Sequence, residues 1–124
     1  MTDWSDRPNA PAEGARLGPQ SEVPDNGAKE YVFGKGRERF RMVVVRRGEG
    51  AWGYLNICPH HQIPMNKADG GLLTADDLLW CGQHYSQFRF EDGVCVDGPC
   101  KGGALTPVPV VCREGVLMIG RNPA

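Results

Sequence analysis

The sequence predicts an all-β domain, an antiparallel sandwich or small barrel, on three observations. Apolar residues fall in short runs, and no segment sustains a 3.6-residue helical period. The runs are β-branched and aromatic, as in Phe40–Arg46 and Val116–Ile119. Turn signals separate them: 17 glycines and ten prolines make up about a fifth of the 124 residues.

The elements follow in order. Residues 1–27 are polar and rich in Pro, Gly and Ala, too poor in apolar groups to offset the entropy of ordering, and read as a flexible arm. Short strands begin at Ala28. Glu30–Phe33 precedes the turn Gly34-Lys35-Gly36, and Phe40–Arg46 is apolar enough for a central strand. Arg47-Gly48-Glu49-Gly50 turns the chain into Trp52–Ile57, which runs directly into Cys58. Asp77–Trp80 runs directly into Cys81, Gln87–Phe90 follows His84, and Glu91-Asp92-Gly93 is a hairpin turn. Pro107–Arg113 and Val116–Ile119 flank Glu114-Gly115 as a closing hairpin. The expected organisation is one domain over 28–120, with the arm before it and a short tail, 121–124.

A net charge of −1 and a pI near 6.3 leave no basic footprint for nucleic acid. Apolar runs such as Met42–Val45 are far too short to cross a bilayer. The N-terminus has no basic start followed by an apolar stretch, and Arg7 stands alone, so neither a secretory nor a twin-arginine signal is read. A cytoplasmic protein is expected. There, five cysteines are read as metal ligands or reduced thiols rather than a disulfide framework.

The chemistry concentrates in two motifs, each a Cys and a His at a strand end: Cys58-Pro59-His60, followed by His61, and Cys81-Gly82-Gln83-His84. All three histidines of the chain lie in them. Two thiolates and two imidazoles make a four-ligand site. Zinc takes such a set in a tetrahedral structural site, and with His61 in place of His60 the spacing would read C-x-x-H twice. A [2Fe–2S] cluster takes both thiolates on one iron and both imidazoles on the other.

Over roughly Ala28 to Gly120 the sequence resembles the Rieske family. Cys58-Pro59-His60-His61-Gln62-Ile63-Pro64-Met65 is similar to that family's C-x-H-x-G-x-P-L loop, and Cys81-Gly82-Gln83-His84-Tyr85-Ser86-Gln87-Phe88 to its C-x-x-H-G-x-x-F segment. Gly98-Pro99 stands where the family has a proline loop covering the cluster. The resemblance implies one [2Fe–2S] cluster held by Cys58, His60, Cys81 and His84, with Ser86, Pro99 and His61 around it. Gln62 and Tyr85 replace glycines of the pattern, and Asn66–Leu79 is an enlarged polar spacer. Respiratory members carry a further cysteine in each loop, joined as a disulfide. Those positions are Ile63 and Gln83 here. Of two hydroxyl donors that raise the potential in those members, Ser86 is present and Phe88 replaces the other. The resemblance therefore implies a potential in the lower part of the span from roughly −150 to +300 mV.

Further expectations attach to the remaining side chains. His61 is expected to face solvent. Cys95 and Cys100 either pair across Asp97-Gly98-Pro99 or stay as thiols, and the cytoplasm favours thiols. Cys112 is expected in the core, along with Trp52, Trp80 and Phe90. Glu91, Asp92 and Asp97 read as solvated turn residues.

The resemblance implies a soluble one-electron carrier, not a catalyst by itself. Its donor would be a flavin-dependent reductase and its acceptor a terminal oxygenase or other redox enzyme. No second set of histidines is present for the mononuclear iron of an oxygenase. The alternatives are a small Rieske subunit of a larger reductase, of the nitrite-reductase type, and a structural zinc module that binds partners.

Overall fold

The computed structural model describes residues 4–59, 63–82 and 85–120. Eleven strands form three antiparallel sheets: β1 (Arg16–Pro19), β2 (Gly27–Phe33), β3 (Phe40–Arg47), β4 (Gly50–Leu55), β5 (Leu73–Ala75), β6 (Leu78–Trp80), β7 (Gln87–Arg89), β8 (Cys95–Asp97), β9 (Pro107–Val108), β10 (Val110–Arg113) and β11 (Val116–Ile119). Helix is confined to three single 3₁₀ turns among the described residues. The expected all-β antiparallel class is what the chain adopts. Among the described residues no helix is long and apolar enough to cross a membrane.

Two sheets, β2-β3-β4-β9 and β1-β11-β10, form a base, and β5-β6-β7-β8 forms a lobe. The lobe is inserted between two neighbours: β4 and β9 are paired in one sheet, and the Leu55 amide donates to the Thr106 carbonyl at 2.9 Å where the chain leaves and re-enters the base. Cys58, Cys81, Cys95 and Cys100 all lie in this insert.

β3 is the common wall of two cores. Its pleat sends Val43 and Val45 toward the lobe, where they meet Tyr54, Met65, Leu79, Phe88 and Phe90. Phe40, Met42 and Val44 point the other way, against Leu55, Val108, Leu117 and Ile119. A strand buried on both faces must be apolar at successive positions, which explains the unbroken Met42–Val45 run.

The flexible arm expected over 1–27 is corrected. Trp4 is 4% and Val23 0% exposed, both in the base core, and β1 pairs with β11. Asn9 donates to the Glu38 carbonyl at 2.9 Å. Two isolated anchors carry no periodicity, yet each fully buried large side chain contributes about 1.5–3 kcal/mol, enough to order a segment that also gains a ladder. The 121–124 tail lies outside the described residues. The spacer between the motifs is corrected too: it contains β5, joined to β6 by Asp76-Asp77, both at positive φ (54° and 61°). This is the primed turn that fits the twist of a hairpin, and Asp tolerates it. Cys112 is exposed on β10, not buried, because that edge strand turns it away from the core.

Candidate metal centre

Three loops meet in the lobe, and backbone contacts set their spacing. The first is closed at its base by the Cys58 amide, which donates to the Ile63 carbonyl at 2.7 Å. In the second, the Cys81 amide donates to Ser86 at 2.8 Å and the Tyr85 amide donates back to Cys81 at 2.9 Å. The two are tied together directly, since Gly82 donates to the Met65 carbonyl at 2.8 Å. A Cβ at Gly82 would lie 2.8 Å from the Lys67 backbone, so any side chain there would force the loops apart. The third loop approaches as closely: a Cβ at Gly98 would sit 2.6 Å from Cα of Ser86, and its φ of +94° independently favours glycine.

Cys58 and Cys81 are 2% and 0% exposed and belong to one core cluster. Two buried, dry thiols brought together from two hydrogen-bonded loops suit the sulfur half of a cluster site, because a soft metal centre is the partner that offsets burying a thiolate. His60, His61 and His84 lie outside the described residues. Ser86 is fully buried, and its Oγ accepts from the Cys100 amide at 3.3 Å. That contact uses a lone pair and leaves the hydroxyl proton as a donor. Pro99 is exposed on the third loop. Tyr85 is 59% exposed at φ 63°, so it adopts the left-handed conformation of the glycine it replaces, and its ring meets Trp80 edge-on at 6.5 Å. Phe88 is fully buried in the core, where no hydroxyl is offered.

No disulfide joins any of the five cysteines. Cys95 and Cys100 do not pair. The Cys95 thiol donates to the Asp97 carbonyl at 3.1 Å, and burial pushes its pKa up. The Cys100 sulfur instead lies 3.6 Å from that of Cys58. Glu91 and Asp92 are engaged by Arg47 and Arg89. Phe90 is in the core as expected, while Trp52 and Trp80 are only half-buried.

A polar network at the neck of the first loop was not read from the sequence. Asn56 accepts from the Met65 amide at 2.8 Å and donates to Asn66 and Glu30, each at 2.7 Å. Asn66 donates to Glu30 at 3.2 Å and to the Gly70 carbonyl at 2.8 Å. Arg41 closes the set with a bidentate contact to Glu30, at 2.6 and 3.1 Å. Burial alone would raise the Glu30 pKa, but Arg41 and the two amides together outweigh it and hold the carboxyl below its ordinary value. The network joins β2, β3 and the end of β4 to both flanks of the loop carrying Cys58. Its signal was present: a polar residue ends the apolar β4 run two positions before a ligand-type cysteine.

The Rieske [2Fe–2S] domain model matches residues 15–111. No curated protein matches the chain. Among solved structures, the ferredoxin of carbazole 1,9a-dioxygenase from Nocardioides aromaticivorans IC177 is 17% identical, with 90% of this chain and 100% of that one covered at a TM-score of 0.68. The terminal oxygenase of carbazole 1,9a-dioxygenase from Novosphingobium sp. KA1 is 15% identical, with 90% of this chain but 31% of the oxygenase covered, at 0.66. A chain of the reduced oxygenase–ferredoxin complex of carbazole 1,9a-dioxygenase is 17% identical, with 94% and 30% covered, at 0.70. At these identities the structures speak to the fold. The family match spans most of the chain and includes the loops described above, so the protein belongs to the Rieske [2Fe–2S] family and carries the one cluster that defines it.

Proposed function

We propose that this protein is a one-electron carrier, the ferredoxin component of a multicomponent oxygenase system, working in the cytoplasm. The observation that carries the reading is the family match, together with the fold shared with a ferredoxin over that protein's whole length. The chain spans the whole of a carbazole-dioxygenase ferredoxin but about a third of the oxygenase chains that share the fold. The five unbridged cysteines fit a reducing compartment.

Cys58 and Cys81 would hold one iron of the cluster, and His60 and His84 the other. Bound there, the cluster supplies a single one-electron couple. The chain's own residues do the rest. Burial of both thiols keeps water from the sulfur side. The two glycine contacts fix the loop spacing, and the neck network holds the first loop to the base, so little rearrangement accompanies a change of charge. The Ser86 hydroxyl, with its proton free to donate, favours the reduced, more negative state.

The acceptor would be a terminal oxygenase, the partner with which the related ferredoxin has been solved, and the donor a flavin-dependent reductase. Arg7, Arg37 and Arg39 line one cleft with Glu38, Ile57 and Pro64, the last two of which bracket the first loop. This basic rim beside the centre would steer a partner with an acidic rim.

Titration with dithionite under argon tests the reading. One electron per chain should be taken up, with the rhombic EPR signal of a reduced cluster of mixed ligation. Ferricyanide should then reoxidise the protein faster than a cationic cobalt ammine of similar driving force, with the difference shrinking in high salt. A protein that takes up no electron, or that contains zinc, overturns the carrier reading. Equal rates for the two oxidants remove the basic rim from it.

A further inference from the structure

The contact between Cys58 and Cys100, with sulfurs 3.6 Å apart, is the one sulfur–sulfur contact among the described residues. The mechanism above does not use Cys100. The thiol is not placed by chance packing of a loose loop. Its amide donates to the buried Ser86 hydroxyl, its carbonyl accepts from Gly103 at 2.8 Å, and Lys101 donates to Gly98 at 3.1 Å. Gly98 in turn rests against the Ser86 backbone. Cys58 is fixed as firmly by its bridge to Ile63. Both residues are buried, at 2% and 7% exposure. A disulfide needs the sulfurs at about 2.05 Å, so roughly 1.6 Å of closure would join them.

The other thiols are placed differently. Cys95 is turned to the Asp97 carbonyl, and Cys112 is exposed on a base strand of another sheet. Cys81 lies in the same core as Cys58 but has no sulfur contact of this kind.

We propose that Cys100 is a resolving thiol for Cys58: when an oxidant strips the cluster, the two close into a disulfide that shields Cys58 from irreversible oxidation and bars reloading until a thiol reductant reopens it. The chemistry balances with a peroxide as oxidant. The Cys58 sulfur attacks one peroxide oxygen, the O–O bond breaks, and water leaves with a sulfenic acid on Cys58. The Cys100 sulfur then attacks that sulfur and expels a second water. Two thiols and one hydrogen peroxide give one disulfide and two waters, and a dithiol reverses the bond by exchange. Without Cys100, the sulfenic acid would go on to sulfinic acid, which a thiol reductant does not recover.

The consequence for reloading rests on the reading of Cys58 as a cluster ligand. The pairing itself does not, so the experiment reads them separately. The cluster-loaded full chain, carrying Cys112→Ser to prevent cross-linking between molecules, is treated with hydrogen peroxide until its visible absorption is gone. It is then alkylated, digested and mapped by mass spectrometry. A peptide linking Cys58 to Cys100 is expected as the dominant disulfide. Reconstitution with iron and sulfide should fail before dithiothreitol and succeed after it. In Cys100→Ser and Cys100→Ala, the linked peptide should vanish, Cys58 should carry sulfinic acid, and dithiothreitol should no longer rescue reloading. A Cys58–Cys81 or Cys95–Cys100 bridge, or rescue in both variants, overturns the proposal. The linked peptide together with reloading that ignores it would instead remove Cys58 from the ligand set.

Discussion

The base and the lobe solve the same folding problem by different means. In the base, β2 and β3 run seven and eight residues and share a full ladder, and the core is built of aliphatic and aromatic side chains. In the lobe every strand is three residues long, and four of the twelve core residues are cysteines. Ladders that short cannot hold a sheet together alone. The lobe relies on close backbone packing at Gly82 and Gly98, on the neck network, and on whatever its thiols bind. The comparison teaches that the base is stabilised by burial and the lobe by what it is built to hold.

The largest effect should come from removing the cluster. Chelation under reducing conditions should speed amide hydrogen exchange in β6 and β7 on the order of 10,000-fold, the equivalent of about 5.5 kcal/mol, while β3 keeps its protection. Equal loss in both regions would erase the distinction. Next in size, Leu117→Ala should lower global stability by about 2–5 kcal/mol in thermal unfolding, because that side chain is fully buried in the base core. The cluster's absorption spectrum should be unchanged below the new midpoint. A spectral change would mean that the two cores are coupled through β3 more tightly than their separate compositions imply. The smallest effect concerns the neck. The Glu30 pKa lies below its ordinary value of 4.5, so its contribution is fully present above that pH and is lost as pH falls through the folded-state value. Glu30→Gln should therefore flatten the acid limb of the stability profile between those two values. An acid limb identical to that of the wild-type protein would place the network's contribution elsewhere.

What the sequence disclosed follows the same division. Phe40–Arg46 announced the central strand because burial on both faces demands an apolar run, and Glu114-Gly115 announced its hairpin because both residues take positive φ, at 52° and 79°. Of the two strands expected to run straight into a cysteine, β6 does so at Cys81, whereas β4 stops at Leu55, three residues before Cys58. The packing of 4–27 was not legible, since Trp4 and Val23 are single anchors whose partners lie far along the chain. Nor was the Asn56–Asn66–Glu30–Arg41 network, whose members look like ordinary surface polar residues until three strands bring them together. The approach of Cys100 to Cys58 spans 42 positions and depends on how two loops stack, which no local pattern encodes.

The insertion of the lobe between two paired strands has an architectural consequence. Entrance and exit lie side by side at Leu55 and Thr106, so the ladder of the base closes whatever the length of the lobe, while Val43, Val45 and Tyr54 draw their cover from it. Residues 56–106 form a cassette. Replacing them with a short turn would keep β4 paired with β9 but uncover Val43, Val45 and Tyr54, so the same two anchor points accept a cassette of different length or ligand set that brings its own apolar cover. Redox character can therefore drift in one part of this molecule while the other is held constant.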